Sequence, residues 1–135
     1  MKRNLHLLII DPQNDFCDLP PAYLPPSAGA EAPVDTLLDE VYAALVSIPG
    51  VVCPRPQGAF YAFPDISCAF GKSHAGHAIK DDVGFCSALL EAKGVACVPG
   101  SAFGEPRAVR ISYTCKPAEL TEGLRRFREF FAEIE

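Results

Sequence analysis

The stretch from Val95 to Tyr113, VACVPGSAFGEPRAVRISY, constrains the fold of this chain more than any other. It begins with an apolar segment, passes through a Pro-Gly turn and a second turn that contains glycine, and ends in a segment with a single arginine, Arg110. Proline and glycine at these positions interrupt a helix, whereas short apolar segments between turns are typical of strands. We therefore predict two strands joined by a tight connection.

The second of these strands alternates in polarity. Val109, Ile111 and Tyr113 alternate with Arg110 and Ser112, and a period of two places the two sets on opposite faces of a strand. We expect the apolar set to face the core and Arg110 to point away from it. A planar guanidinium held on a strand is suited to binding a carboxylate or phosphate through two parallel hydrogen bonds. Arg110 is therefore the candidate anion-binding residue.

The first 33 residues differ in character from the rest. Leu5 to Ile10 is a continuous apolar run, typical of a strand buried on both faces, and it stops at Asp11. The following residues, to Pro33, are too rich in proline, glycine and alanine for a long helix or a central strand, which predicts a linker. Asp11 has two interpretations: a catalytic carboxylate at the end of a parallel strand, or a turn residue before Pro12. We expect residues 1–33 and 34–135 to be separate units.

The remaining sequence predicts an α+β fold, in which a small sheet packs in two layers against three helices, with Leu5 to Ile10 as an extra strand at an edge. We expect the segments 51–53 and 59–63 to form a hairpin and Asp65 to Gly76 to be irregular. The predicted strands are 51–53, 59–63, 95–98 and 107–113, and the predicted helices run from Asp35 to about Ile48, from Ala78 to Lys93 and from Pro117 to about Ile134.

Apolar residues at helical spacing predict which helix faces are buried. In the second helix the predicted stripe is Ile79, Val83, Cys86 and Leu90. In the last helix it is Leu120, Leu124, Phe127, Phe131 and Ile134.

Charge and cysteine content limit the function classes. The net charge of −5, without a basic stripe, argues against nucleic-acid binding. No segment reaches the ~20 apolar residues of a membrane span, so we expect a cytoplasmic protein. The six cysteines are scattered without a C-x-x-C pair, which favours free buried thiols over disulfides. His74 and His77 have H-x-x-H spacing, but without a third ligand they are interpreted as loop histidines and no metal site is expected.

The first thirty residues contain a strand followed by Asp-x-Gln-Asn-Asp-Phe, in LLIIDPQNDF. This resembles the opening of the nicotinamidase and isochorismatase-like cysteine hydrolases. The resemblance implies that Asp11 corresponds to the aspartate of an Asp, Lys, Cys triad that activates a thiol nucleophile. No later segment supplies the lysine, the metal-binding set or the nucleophile strand of that family, so Asp11 is interpreted as a remnant. A nicotinamidase-like amidase is kept as the alternative function.

From Ser47 onward the motifs IPGVVCPRPQGAFYAFPDIS and FCSALLEAKGVACVPGSAFGEPRAVRISY, with the closing helix, stand in one order and spacing. They resemble the carboxy-terminal small domain of the class I/II, fold-type I, pyridoxal-phosphate aminotransferases. The resemblance implies that Arg110 binds the α-carboxylate of an amino-acid or 2-oxo-acid substrate. It also implies pyridoxal 5'-phosphate as the cofactor of the parent enzyme.

Transamination requires a lysine that forms a Schiff base with the cofactor. The lysines of this sequence lack the serine-rich context of that family: Lys2, Lys72, Lys80, Lys93 and Lys116. We therefore expect an aminotransferase fragment that supplies the carboxylate clamp, is inactive alone and does not bind the cofactor alone. The two resemblances together suggest a chimera, and a non-catalytic product that self-associates through exposed core is a further alternative.

Overall fold

The computed structural model describes residues 34–56 and 60–135. Over these residues the chain forms three α-helices and five short strands. The helices are α1 (Val34–Val46), α2 (Asp82–Lys93) and α3 (Pro117–Glu133), and the strands are β1 (Tyr61–Ala62), β2 (Ser73–His74), β3 (His77–Ala78), β4 (Val98–Pro99) and β5 (Val109–Ser112). The α+β class is confirmed, whereas the predicted strand from Leu5 to Ile10 and the linker after it lie outside the described residues.

The strand that carries Arg110 is the middle strand of the main sheet. The strand order is β1-β5-β4, and both pairings are antiparallel. Tyr61 of β1 lies opposite Ser112, and Val98 of β4 lies opposite Arg110. Because β5 has a neighbour on each side, its backbone is fixed along both edges, and Arg110 projects from a rigid part of the molecule.

Two predictions for the segment before α2 are wrong. The expected hairpin between 51–53 and 59–63 does not form, because Val52 bridges to Asp65 while β1 pairs with β5. The segment from Asp65 to Gly76 is not irregular throughout. It holds a 3-10 turn at Ser67–Ala69 and β2, which pairs with β3 in a separate two-stranded sheet.

Helix α2 begins at Asp82, four residues later than predicted, because residues 77–78 form β3. The carboxylate of Asp81 accepts the backbone N–H of Gly84 at 2.7 Å and caps the helix. The predicted apolar stripe is wrong at Val83 and Leu90, which are 53% and 40% exposed, whereas its members Ile79 and Cys86 are buried. The buried face is instead formed by Asp82, Phe85, Cys86 and Leu89.

An aromatic cluster joins α2 to α3. The ring of Phe85 is fully buried, and its centroid lies 5.4–5.9 Å from three rings of α3. Edge-to-face and tilted contacts at these distances stabilise a core beyond the area that they bury. The stripe predicted for α3 is confirmed at four positions, Leu120, Leu124, Phe127 and Ile134, which are buried. Its fifth member, Phe131, is half-buried, and Phe130 is buried in addition.

Candidate functional site

The guanidinium of Arg110 lies between two aromatic rings. Its Cζ atom is 4.6 Å from the centroid of the Tyr61 ring and 4.3 Å from that of the Phe103 ring. Tyr61 comes from the neighbouring strand β1, and Phe103 ends the 3-10 turn Gly100–Phe103 that follows β4. Each cation–π contact of this kind is worth about 0.5–2 kcal/mol. The two rings therefore hold the guanidinium plane in one orientation.

Apart from the two rings, the Arg110 guanidinium has no ion-pair or hydrogen-bond partner in the described ranges. No carboxylate oxygen there lies within 4.0 Å of its guanidinium, and its Nε atom is buried without a hydrogen-bond partner. Arg107, three residues earlier, pairs with Asp65 and Glu105 at 3.4 Å each. An unsatisfied buried donor costs about 1–3 kcal/mol. Arg110 is thus an oriented cation whose hydrogen-bonding capacity is unused.

The face that Arg110 shares with Ser112 is more enclosed than predicted. Ser112 is 2% exposed and Arg110 is half-buried, so this face of β5 is largely covered. The buried Ser112 hydroxyl lies 3.0 Å from the Thr114 hydroxyl, where it is satisfied. Only the partly covered Arg110 keeps access to solvent on this face of β5.

A buried carboxylate supports the turn that carries Phe103. Asp82, at the start of α2, is 2% exposed, and its Oδ2 atom accepts the backbone N–H of Ser101 at 2.7 Å. Burial alone would raise the pKa of the Asp82 carboxyl, but hydrogen bonds from the backbone and side chain of Ser101 outweigh it and hold the pKa below its ordinary value. Asp82 is therefore charged at neutral pH.

Sequence reasoning missed Tyr61, Phe103 and Asp82. Tyr61 and Phe103 are apolar enough to be assigned to the core, and their contact with Arg110 depends on the pairing of β1 with β5. The adjacent acidic residues Asp81 and Asp82 were a usable signal, because a helix start favours carboxylates in its cap and first turn. Nothing in the local sequence indicates that the second of them is buried.

The two histidines do not form part of this site. Residues 74 and 77 face each other in the β2–β3 hairpin. The Nε2 atom of His74 is 3.2 Å from Oε2 of Glu133, and its ring lies 5.1 Å from that of Phe130. No group of three or more potential metal ligands occurs among the residues that the structure describes.

The cysteines of the described region give no support to a thiol nucleophile. Five are free, and burial raises the thiol pKa of each one, with that of Cys86 reaching about 12. A reactive cysteine requires the opposite shift. Asp11 and Cys17 lie outside the described residues, so the hydrolase-like role of Asp11 stays a prediction.

The described residues do not fit pyridoxal phosphate. Lys72, Lys80 and Lys116 are exposed, and Lys93 is held in a bond to Glu133, with Nζ 2.5 Å from Oε1. A lysine that forms a Schiff base needs a lone pair on its nitrogen, which an ion pair with a carboxylate disfavours.

No helix in the described part of the chain has the length and apolar character needed to cross a membrane.

Comparison with known proteins identifies one family. A family model described as aminotransferase class I and II matches residues 32–127. The aspartate/prephenate aminotransferase of Cereibacter sphaeroides is 50% identical over 97 residues, which are 71% of this chain and 24% of that protein. The aspartate aminotransferase of Bacillus subtilis is 43% identical over 98 residues, 69% of this chain and 23% of that protein.

Solved structures give the same result. The crystal structure of the aspartate aminotransferase from Rhizobium meliloti superposes with a TM-score of 0.73 at 41% identity, covering 76% of this chain and 26% of that one. An alanine aminotransferase from Pyrococcus furiosus superposes with a TM-score of 0.63 at 32% identity, covering 74% of this chain and 24% of that one. The chain thus spans about a quarter of the length of these relatives.

Proposed function

Because this chain belongs to the class I and II aminotransferase family, we propose that it supplies the part of an amino-acid transaminase that binds the α-carboxylate of the substrate. Arg110 is the binding residue in this proposal. The observation that carries it is the unpaired guanidinium, oriented between the Tyr61 and Phe103 rings. A carboxylate would accept two parallel N–H···O bonds from the terminal Nη groups of the guanidinium, because its Nε atom is buried.

The proposed substrates are amino acids and 2-oxo acids. Both carry a carboxylate next to the carbon atom whose amino or oxo group is exchanged, so one cation can orient both partners of the reaction. Relatives of this chain are aspartate or aspartate/prephenate aminotransferases, which makes aspartate the first ligand to test. Aspartate carries a second carboxylate, and a ligand with only the α-carboxylate, such as alanine, separates the two contributions.

We further propose that the reactive lysine and the cofactor contacts belong to the part of the family's length that this chain does not span. The chain covers 24% of the first relative, and its described lysines are exposed or ion-paired. Residues 34–135 would then act as the carboxylate-binding unit, and the chain alone would not catalyse transamination. We also propose that copies of this chain associate through apolar surface that such a unit leaves exposed. Residues 1–33 are proposed to have an origin separate from that of residues 34–135.

Binding of aspartate and alanine to the purified chain tests this function. Titration followed by the NMR resonances of the Arg110 Nε–H group and of the β5 backbone amides, which every variant retains, should saturate with a Kd on the order of 10 mM, because one bidentate charged contact is worth roughly 1.5–3 kcal/mol. Arg110→Met should abolish the saturable shift. Arg110→Lys should weaken binding about tenfold, since an ammonium lacks the planar pair of donors.

Arg107→Met is the matched control. Arg107 lies two residues before β5, and its guanidinium is already paired with Asp65 and Glu105. Removing it should therefore leave the affinity for aspartate unchanged. The proposal is wrong if the natural chain shows no saturable shift with either ligand. It is also wrong if Arg110→Met binds aspartate as tightly as the natural chain.

A further inference from the structure

One buried charge is not accounted for by carboxylate binding itself. Asp82 is 2% exposed, although it lies in the first turn of α2 where a carboxylate is usually stable in water. Burial of a carboxylate is costly unless hydrogen bonds compensate it. The compensation comes from 19 residues away, because Oδ2 of Asp82 accepts the backbone N–H of Ser101 at 2.7 Å.

The position of Ser101 connects Asp82 to the arginine. Ser101 and Phe103 lie in the same 3-10 turn, Gly100–Phe103, and the Phe103 ring covers the Arg110 guanidinium at 4.3 Å. Two backbone hydrogen bonds fix the start of this turn. The Gly100 N–H donates to the Ala108 carbonyl at 2.9 Å, and the Glu105 N–H donates to the Gly100 carbonyl at 3.0 Å. The hydrogen bond to Asp82 fixes the backbone of Ser101, and thus the direction in which the Phe103 side chain leaves the turn.

The Phe103 ring has little else to hold it. Its side chain is 49% exposed, and its other ring contact is an edge-to-face approach to Phe63 at 6.1 Å. Gly104, directly after it, has a φ of +83°, a conformation that favours glycine, and its N–H donates to the carbonyl oxygens of Gly100 and Ser101, so the end of the turn is held by backbone bonds and not by the ring. The orientation of the ring therefore depends on the backbone of residues 101–103.

We propose that Asp82 is a positioning residue for the carboxylate site, which anchors the Ser101 amide and thereby keeps the Phe103 ring against the Arg110 guanidinium. This inference rests on the function proposed above. Without the anchor, the turn loses the partner of one backbone N–H and the ring leaves the guanidinium plane. Arg110 then samples several orientations, and a carboxylate must restrict them on binding, which weakens affinity.

Three variants test the positioning role by NMR on the whole chain. Asp82→Ala should move the Arg110 Nε–H resonance toward its value in an unstructured peptide, because the ring current of Phe103 is lost, and should weaken aspartate binding about fivefold to tenfold. Asp82→Asn should restore most of both properties, since its amide oxygen still accepts the Ser101 N–H. Ser101→Pro removes the backbone N–H that Asp82 accepts, at an exposed position, so it should shift the resonance in the same direction and serves if Asp82→Ala does not fold.

The matched control is Asp81→Ala. It removes the neighbouring carboxylate, which caps the same helix through Gly84, so it destabilises α2 without touching Ser101. Its Arg110 resonance and its affinity for aspartate should match those of the natural chain. The positioning role is overturned if Asp81→Ala reproduces the changes, or if Asp82→Ala and Ser101→Pro leave both properties unaltered. Absence of aspartate binding in the natural chain would instead overturn the proposed function, while the resonance position would still report on Asp82.

Discussion

Gly100 shows how closely the backbone is packed beside the candidate site. A Cβ atom at this residue would lie 2.3 Å from the carbonyl oxygen of Glu105 and 2.4 Å from that of Ala108. These distances are far below van der Waals contact, and both atoms belong to the backbone, which moves only with its neighbours. The absence of a side chain at residue 100 is what allows the turn to return directly to β5.

Gly100→Ala should therefore destabilise the fold by about 2–3 kcal/mol, the cost of forcing extra volume into a packed region. Gly123→Ala is the matched control, because a Cβ at this position of α3 meets nothing within 4 Å. Removing a helical glycine should stabilise the fold by about 0.5–1 kcal/mol. Urea unfolding with unchanged slopes measures both values, and equal stability of the two variants would contradict this account of Gly100.

At the scale of elements, the end of α3 is tied to two other parts of the fold. Glu133 accepts from Lys93, at the end of α2, and its other oxygen is 3.2 Å from Nε2 of His74 in β2. Beyond the helix, Glu135 and Ser73 exchange both backbone hydrogen bonds, at 2.8 and 3.0 Å. The small β2–β3 hairpin is thereby attached to α3.

The acid stability of the fold should depend on Glu133. Hydrogen bonds from Lys93 and then His74 hold the pKa of its carboxyl below the ordinary value of 4.5. The folded state thus binds this proton less readily than the unfolded chain, so the contribution is complete above pH 4.5 and is lost as the pH falls through the lowered pKa. Urea unfolding between about pH 6 and 3 should show a shallower loss of stability in Glu133→Gln than in the natural chain.

Glu91→Gln provides the comparison for Glu133→Gln, because Glu91 is exposed on α2 and makes no ion pair within the described residues. Its pH profile should follow that of the natural chain. Added salt should narrow the difference between Glu133→Gln and the natural chain, since the Glu133 side chain is 48% exposed and its ion pairs are screened. Identical acid profiles of the two variants would show that the links at the end of α3 contribute nothing to stability.

The sequence predicted elements better than contacts. The α3 stripe was readable because leucine and phenylalanine recur at helical spacing over a long segment, from Leu120 to Phe127 and beyond. In α2, the sequence allows two apolar faces, one with Val83 and Leu90 and one with Phe85 and Leu89. The second is buried, because Phe85 packs on α3. Arg110 was identified from strand alternation, but its aromatic walls come from segments distant in the chain, and local periodicity carries no information on such pairing.

At the scale of the whole molecule, the chain corresponds to about a quarter of the length of its relatives. It covers 26% of the Rhizobium meliloti structure and reproduces that part with a TM-score of 0.73. Apolar side chains such as Val83 and Leu90 are exposed on the outer face of α2. The described residues fold around a core of their own, with helices, sheet and Arg110 in place. Under the proposed function, carboxylate binding would therefore be separable from cofactor chemistry.

The proposed function predicts that pyridoxal phosphate does not label one specific lysine of the purified chain. Borohydride reduction should fix no cofactor on one preferred lysine, because Lys93 is engaged by Glu133 and the other described lysines are exposed on the surface. Peptide mass spectrometry should find low labelling spread over the lysines, unchanged by Arg110→Met. Stoichiometric labelling of a single lysine, lost on adding aspartate, would show that this chain carries the reactive group itself.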